Sequence, residues 1–175
     1  MKKIVGVIIL LATALSLSAC SVKQAKSSDP KAYGEYLCRV PYAEDYMPTE
    51  EQLGDYSSLQ MTYRHRWLLI FDNDAMGLFV SYQEEAYDAQ KEEILSGYPF
   101  ASGEDGESAS DAEATVGGYH IRLVQQDYPL ETYKMGLLIG LDDENQKICY
   151  LFYYDPDLDV LHDLESYVKE NFYLP

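Results

Sequence analysis

Basic residues are scarce in this chain of 175 residues. It has 13 Lys and Arg against 30 Asp and Glu, so its formal net charge is −17 at pH 7. Nucleic-acid binding depends on clustered Lys and Arg that contact phosphates, and electrostatic adhesion to anionic lipid headgroups needs basic clusters as well. We therefore predict no nucleic-acid partner and no attachment to a membrane through charge.

Cysteine is also rare, with Cys20, Cys38 and Cys149 as the three positions. The short Cys and His spacings of zinc sites are missing from the sequence, as are the G-x-S-x-G and S-x-x-K motifs of serine nucleophiles. The sequence therefore predicts no catalytic residue, no cofactor and no metal site. Cys38 and Cys149 could form a disulfide in an oxidising compartment or remain separate buried thiols. We favour free thiols, because a domain of this size does not need a disulfide.

Long apolar runs are confined to the start of the chain. Two lysines precede an almost wholly apolar stretch over residues 4–15, and small residues then lead into Cys20. This is the layout of a secretory signal with its cleavage site. The alternative is a transmembrane helix over residues 4–18, but a helix needs about 20 apolar residues to span a bilayer.

The segment Leu17-Ser18-Ala19-Cys20 resembles the lipobox of bacterial lipoproteins. The resemblance implies that a diacylglycerol is attached to the thiol of Cys20 and that the chain is then cut before this residue. It also implies a location on the extracytoplasmic face of the cell membrane, through a lipid anchor that carries fatty acids such as palmitate. The chain as a whole resembles small lipoproteins of unknown role in Gram-positive gut-type bacteria, and that resemblance implies no activity.

The expected domain organisation follows from cleavage before Cys20. Residues 1–19 are the signal peptide, residues 20–30 are the lipidated cysteine and a flexible polar tether, and residues 31–175 are one domain. Without residues 1–19 the chain keeps 11 basic and 30 acidic residues, and its net charge becomes −19. The lipid on Cys20 is therefore expected to be the sole reason that the protein stays at the membrane.

Hydrophobic patterns predict an α+β fold. Strand patterns recur over residues 61–71, 76–82, 119–126, 133–141 and 147–154. Apolar residues at helical spacing predict an amphipathic helix that begins at Glu84, after the first hairpin, and a C-terminal helix that is capped by Asp155. Because hairpins dominate the connections, we expect a largely antiparallel sheet with the helices packed on one face.

Two other segments have weaker patterns. Residues 33–40 alternate weakly and predict an edge strand, and Thr49 and Gln52 have the spacing of a capping box before a short helix. Residues 101–115 contain five acids and no large apolar side chain. Such a segment cannot bury enough surface to order itself, so we predict a mobile acidic loop.

Candidate ligand residues all have a simpler structural explanation. The D-x-D-x-D motif at residues 155–159 resembles the start of an EF-hand loop, but the required later Gly and Glu are missing, so we assign it to helix capping. Residues 72–74, Asp-Asn-Asp, are assigned to a hairpin turn for their turn chemistry. His65 and His120 both fall on predicted strands and could approach each other in space.

Tyrosine is abundant, with 17 residues, and five of them cluster without periodicity near the N-terminus. These are the residues among which we expect a binding surface: Tyr33, Tyr36, Tyr42, Tyr46 and Tyr56.

The favoured function is a non-catalytic binding or interaction module with a protein or envelope partner. The alternative is an extracytoplasmic hydrolase that acts on envelope or dietary glycans. A deep pocket with two carboxylates about 5–10 Å apart would favour the hydrolase. A shallow face lined by tyrosines would favour the binding module.

Overall fold

The computed structural model describes residues 20–68, 71–101, 112–125, 134–158, 161 and 163–175, so the predicted signal peptide lies outside it. The strands of the described part are β1 (Cys20–Ser27), β2 (Ser58–Leu68), β3 (Phe71–Ser81), β4 (Glu113–Val116), β5 (Tyr119–Leu123), β6 (Met135–Asp142) and β7 (Lys147–Tyr154). They form one sheet in the order β1-β2-β3-β7-β6-β5-β4, and every neighbouring pair is antiparallel.

The α-helices of the described part are α1 (Tyr33–Leu37), α2 (Ala43–Tyr46), α3 (Glu84–Gly97) and α4 (Leu164–Asn171). Single turns of 3-10 helix occur at Pro30–Ala32 and Glu51–Leu53. The α+β class, the antiparallel sheet, the amphipathic helix α3 and the C-terminal helix are therefore confirmed. Within the described ranges, no helix has the length and apolar character needed to cross a membrane.

Helices cover both faces of the sheet, whereas the sequence predicted helices on one face. Buried side chains of α1–α3 pack on the face that includes Phe152, which we call the N-terminal face, and those of α4 pack on the face that includes Tyr153, which we call the C-terminal face. Strand β7 lies at the centre, and both of these neighbouring side chains are fully buried. Its continuous apolar sequence needs this cover, because alternate residues of a strand point to opposite faces.

The flexible tether predicted for residues 20–30 is wrong over residues 20–27. These residues form β1, which pairs with β2 along its whole length, from Cys20 opposite Leu68 to Ser27 opposite Met61. The polar sequence of β1 misled the prediction. An edge strand is held mainly by its backbone hydrogen bonds. In β1 these bonds are accompanied by little apolar burial beyond that of the partly buried Ala25.

The strand predicted for residues 33–40 is also wrong, since these residues begin with α1. Tyr33 and Tyr36 are both buried, and their spacing of three places them on one face of a helix. The capping box after this segment is confirmed. The main-chain N–H of Thr49 donates to Gln52 Oε1 at 2.8 Å and that of Gln52 donates to Thr49 Oγ1 at 3.3 Å, although only a 3-10 turn follows.

The hairpin of β2 and β3 closes earlier than predicted. Asp72 pairs with Trp67 and Asp74 pairs with His65, so residues 72–74 belong to β3 and not to a turn. The residue types at positions 72–74 favour a turn. The cross-strand register, which depends on tertiary contacts, overrides this local preference and places them in a strand.

The predicted loop at residues 101–115 is shorter at its C-terminal end. Residues 102–111 lie outside the described residues, but residues 113–115 belong to β4. The turn between β4 and β5 consists of Gly117 and Gly118, with φ values of +60° and +89°. Two successive positive φ angles are typical of a two-residue hairpin turn.

The cap of the C-terminal helix is Asp163 rather than Asp155. The carboxylate of Asp163 accepts from the main-chain N–H of Ser166 at 3.2 Å, and α4 begins at the next residue, Leu164. Asp155 instead ends β7 in a turn and accepts a hydrogen bond from Asn73 Nδ2 at 2.6 Å. It therefore joins β3 to the turn that follows β7.

Candidate functional site

One cluster of ionisable side chains lies at the end of the sheet where β1 begins. His65 Nδ1 is 3.1 Å from Asp74 Oδ1 and 3.3 Å from Asp72 Oδ1. We call these three residues the His65 cluster. Asp74 is buried, His65 is partly buried and Asp72 is exposed. The cluster therefore extends from the buried N-terminal face of the sheet to the solvent-exposed surface.

Tyr63 positions the buried carboxylate of the cluster. Its hydroxyl donates to Asp74 Oδ1 at 2.8 Å. Burial, followed by this hydrogen bond to the carboxylate, raises the pKa of Tyr63 well above its ordinary value. The phenol therefore stays protonated and remains a donor. Cationic groups are near as well: Lys23 is the cross-strand partner of His65, and the Arg39 guanidinium lies 5.6 Å from the centre of the Tyr63 ring.

The geometry of the His65 cluster fits two chemical states. An imidazole that carries a proton on Nδ1 can donate to a carboxylate at these distances. A divalent metal ion fits too, because the three ligand atoms lie within 4.8 Å of one another. Ligands about 2.0–2.1 Å from a tetrahedral zinc ion are about 3.3–3.4 Å apart, close to the two separations from His65 Nδ1.

Sequence reasoning missed this cluster because it assigned Asp72 and Asp74 to a turn. No local signal was available, because residues 72–74 are three polar, turn-forming residues without the apolar and polar alternation of a strand. His65 and His120, which the sequence allowed to approach each other, lie far apart. His120 is on β5, which three strands separate from β2 in the sheet, and its nearest ionic partner is Glu113 at 3.7 Å.

The acidic motif at residues 155–159 is only partly described, since its last residue, Asp159, lies outside the described residues. Asp155 accepts from Asn73, as above, and Asp157 Oδ2 accepts from the main-chain N–H of Asp72 at 3.0 Å. These carboxylates hold the turn against β3. They act in the structure as hydrogen-bond acceptors and not as a helix cap.

The two cysteines that the structure describes in full are free thiols, as favoured. Cys149 is fully buried on the C-terminal face, whereas Cys38 is exposed near the opposite face. A hydrogen bond to Glu44 raises the pKa of Cys38, and burial raises that of Cys149. A nucleophilic cysteine needs a lowered pKa, so neither thiol is activated.

Most of the N-terminal tyrosines belong to the core. Tyr33 and Tyr36 are buried and Tyr46 and Tyr56 are partly buried, while Tyr42 is 54% exposed. Tyr33, Tyr36 and Tyr46 therefore pack α1 and α2 against the sheet, whereas Tyr56 lies outside these helices and lines a groove beside β2. They do not form the open aromatic face that the sequence suggested.

A groove of about 410 Å³ lies at the other end of β2, by Ser58. Its described lining is rich in hydroxyl and aromatic groups, has Lys147 as its cationic side chain and includes no Asp or Glu side chain. Gln60 also lines it, and the buried Nε2 of this residue has no hydrogen-bond partner among the described residues. The carboxylate pair expected of a glycan hydrolase is thus missing from the described lining of this groove.

Comparison with known proteins gives no relative. No protein-family model, no curated protein and no solved structure matches this chain. Its function must therefore be argued from its own residues.

Proposed function

We propose that this protein is a bacterial lipoprotein, held on the extracytoplasmic face of the cell membrane by lipid on Cys20, where it acts as a non-catalytic binding module. The observation that carries the proposal is the lipobox-like segment Leu17–Cys20 after the apolar run.

At the groove by Ser58, the chemistry of the described lining favours binding over glycan hydrolysis. The groove by Ser58 offers hydroxyl groups, aromatic rings and one lysine. These groups suit a ligand with several hydrogen-bonding groups, such as an envelope glycan or an extended peptide. They do not supply the acid and base that hydrolysis of a glycan requires.

Metabolic labelling with a palmitate analogue tests the proposed lipid anchor. In a bacterium that processes lipoproteins, we expect the label on the wild-type protein. An inhibitor of the lipoprotein signal peptidase should convert it into a larger labelled precursor that keeps residues 1–19. Absence of label from a protein that is expressed and folded would contradict the proposal.

A second candidate function, binding of a divalent metal ion, is favoured by the convergence of ligand atoms in the His65 cluster. Titration of the protein with Zn²⁺ in a calorimeter tests it. We expect one site in the wild type and at least a tenfold weaker site in His65→Ala, because an imidazole ligand is lost.

His120→Ala is the matched control for this titration. His120 is half-exposed and lies beside one carboxylate, that of Glu113. Its loss should leave the zinc affinity within about twofold of the wild type. A wild-type protein that gives no binding heat and no thermal shift with Zn²⁺ would contradict the metal function, and circular dichroism shows whether each variant is folded.

A further inference from the structure

Strand β1 joins the sheet without a tether. Its residues pair with β2 in unbroken register from Cys20, opposite Leu68, to Ser27, opposite Met61. If the chain is cut before Cys20, as proposed above, the first residue after the cut is already a strand residue. No free chain then separates the site of the cut from the folded sheet.

The pairing of β1 conflicts with cleavage at this position. Proteolysis of a folded protein acts on locally opened states, because a peptidase has to enclose the residues on both sides of the bond that it cuts. Here the residues after the bond begin with Cys20 and Ser21. In the sheet they lie opposite Leu68 and Trp67, with partner Cα atoms about 4.5–5.5 Å away. The sheet therefore occupies one side of the segment that the peptidase must enclose.

Few side-chain contacts hold β1 to the rest of the protein. Most of its described side chains are exposed: Val22, Lys23, Gln24 and Lys26. Ala25 is partly buried against the N-terminal face, and the ammonium group of Lys26 lies 5.8 Å from the centre of the exposed Tyr173 ring. Segments with so little apolar burial open locally while the rest of a fold stays intact.

The rest of the sheet does not depend on β1. Strand β2 pairs with β3 on its other side along all 11 of its residues, from Ser58 opposite Ser81 to Leu68 opposite Phe71. Among the described residues, the buried side chains of both faces come from outside β1. Departure of β1 therefore makes β2 the edge strand and leaves both cores in place.

A local turn marks the end of the segment that can leave. The main-chain N–H of Asp29 donates to Ser27 Oγ at 3.1 Å, and the carboxylate of Asp29 accepts from the main-chain N–H of Lys31 at 3.1 Å. Pro30 begins the 3-10 turn that follows. These contacts need no pairing with β2, so the chain after β1 can keep its place when the strand leaves.

We propose that β1 is a detachable strand, which leaves β2 while the chain is cut before Cys20 and pairs with β2 after the cut. The inference rests on the proposed function, since it needs cleavage at this bond. In the cut, water adds across the peptide bond between Ala19 and Cys20, which leaves a carboxylate on Ala19 and a new amine on Cys20. Pairing of β1 then holds the lipid-bearing residue directly at the sheet.

A disulfide between β1 and β2 tests the inference. The variant Val22→Cys/Arg66→Cys joins two paired residues, whose Cα separation suits a disulfide, in a Cys38→Ser background that removes the exposed thiol. The lipidated precursor is isolated from cells treated with the peptidase inhibitor, oxidised, and incubated in detergent with the lipoprotein signal peptidase. We expect cleavage at least tenfold slower than that of the same protein after reduction.

Two matched variants show whether the disulfide acts by holding β1. Ser58→Cys/Ser81→Cys joins β2 to β3 at the other end of the sheet, and its oxidised and reduced forms should be cleaved at the same rate. The second variant carries the β1–β2 disulfide and a Gly/Ser insert of about eight residues after Ser21, which adds a reach of about 16 Å. Its oxidised form should be cleaved as fast as its reduced form.

Equal cleavage of the oxidised and reduced β1–β2 variant would overturn the inference and leave the proposed function standing. Slow cleavage that persists with the insert would also overturn it. A reduced protein that is folded but neither lipidated nor cleaved contradicts the proposed function, and the inference fails with it. Gln24→Cys/Arg64→Cys, the next pair on the same face, replaces the first pair if its disulfide does not form. Mass spectrometry reports the lipid, the disulfide and the cut, and circular dichroism reports the fold of each variant.

Discussion

Replacing Phe152 by alanine is expected to lower the free energy of unfolding by about 3–5 kcal/mol, the usual cost of truncating a buried aromatic ring. Phe152 is fully buried on the N-terminal face, and its ring stacks on Tyr46 of α2 with the centroids 5.3 Å apart. The cavity would lie between the central strand and the helices that cover it. Urea denaturation followed by far-ultraviolet circular dichroism measures the loss.

Tyr173→Ala is the matched control for this variant, because it removes an aromatic ring that is 53% exposed. Its effect should stay within about 0.5 kcal/mol. A double-mutant cycle with Tyr46→Ala and Phe152→Ala should give a coupling of about 0.5–1.5 kcal/mol for the ring contact. A loss below about 1 kcal/mol for Phe152→Ala would show that the N-terminal helices do not pack on β7 as described.

Cys20→Ser is expected to abolish lipid attachment completely and to remove the mature protein from the membrane fraction. Serine has no thiol, so no diacylglycerol can be attached. Two acyl chains, at about 0.8 kcal/mol per buried methylene, hold a protein at a bilayer far more firmly than a basic surface alone. Fractionation and detergent phase partitioning of the variant measure the change. We expect unlipidated protein, released from the membrane or left as the uncleaved precursor.

Cys38→Ser provides the matched control, since it makes the same substitution at an exposed free thiol. This variant should remain in the membrane fraction and partition into detergent like the wild type. A Cys20→Ser protein that still fractionates as a mature membrane protein would contradict the lipid anchor.

The strands and helices that were predicted well have strong local patterns. Strand β7 has the predicted bounds of Lys147–Tyr154, and α3 begins at the predicted Glu84. Strand β7 is a continuous apolar run between turn-forming residues, and α3 has apolar residues at helical spacing. Strand β1 could not be predicted in this way, because a polar edge strand is specified by backbone pairing with β2 and not by its own side chains.

The His65 cluster depended on information that a single sequence does not contain. His65 meets Asp74 only because the hairpin closes right after β2, and a register shift of one residue would send one of these side chains to the opposite face.

The most direct test of the lipid anchor is the mass of the N-terminal tryptic peptide of the protein purified from membranes. Cleavage before Cys20 and trypsin cleavage after Lys23 define a peptide of Cys20-Ser-Val-Lys23. The predicted result is this peptide with a diacylglyceryl group on Cys20. A peptide that extends before Cys20, or one that begins at Cys20 with an unmodified thiol, would contradict the account.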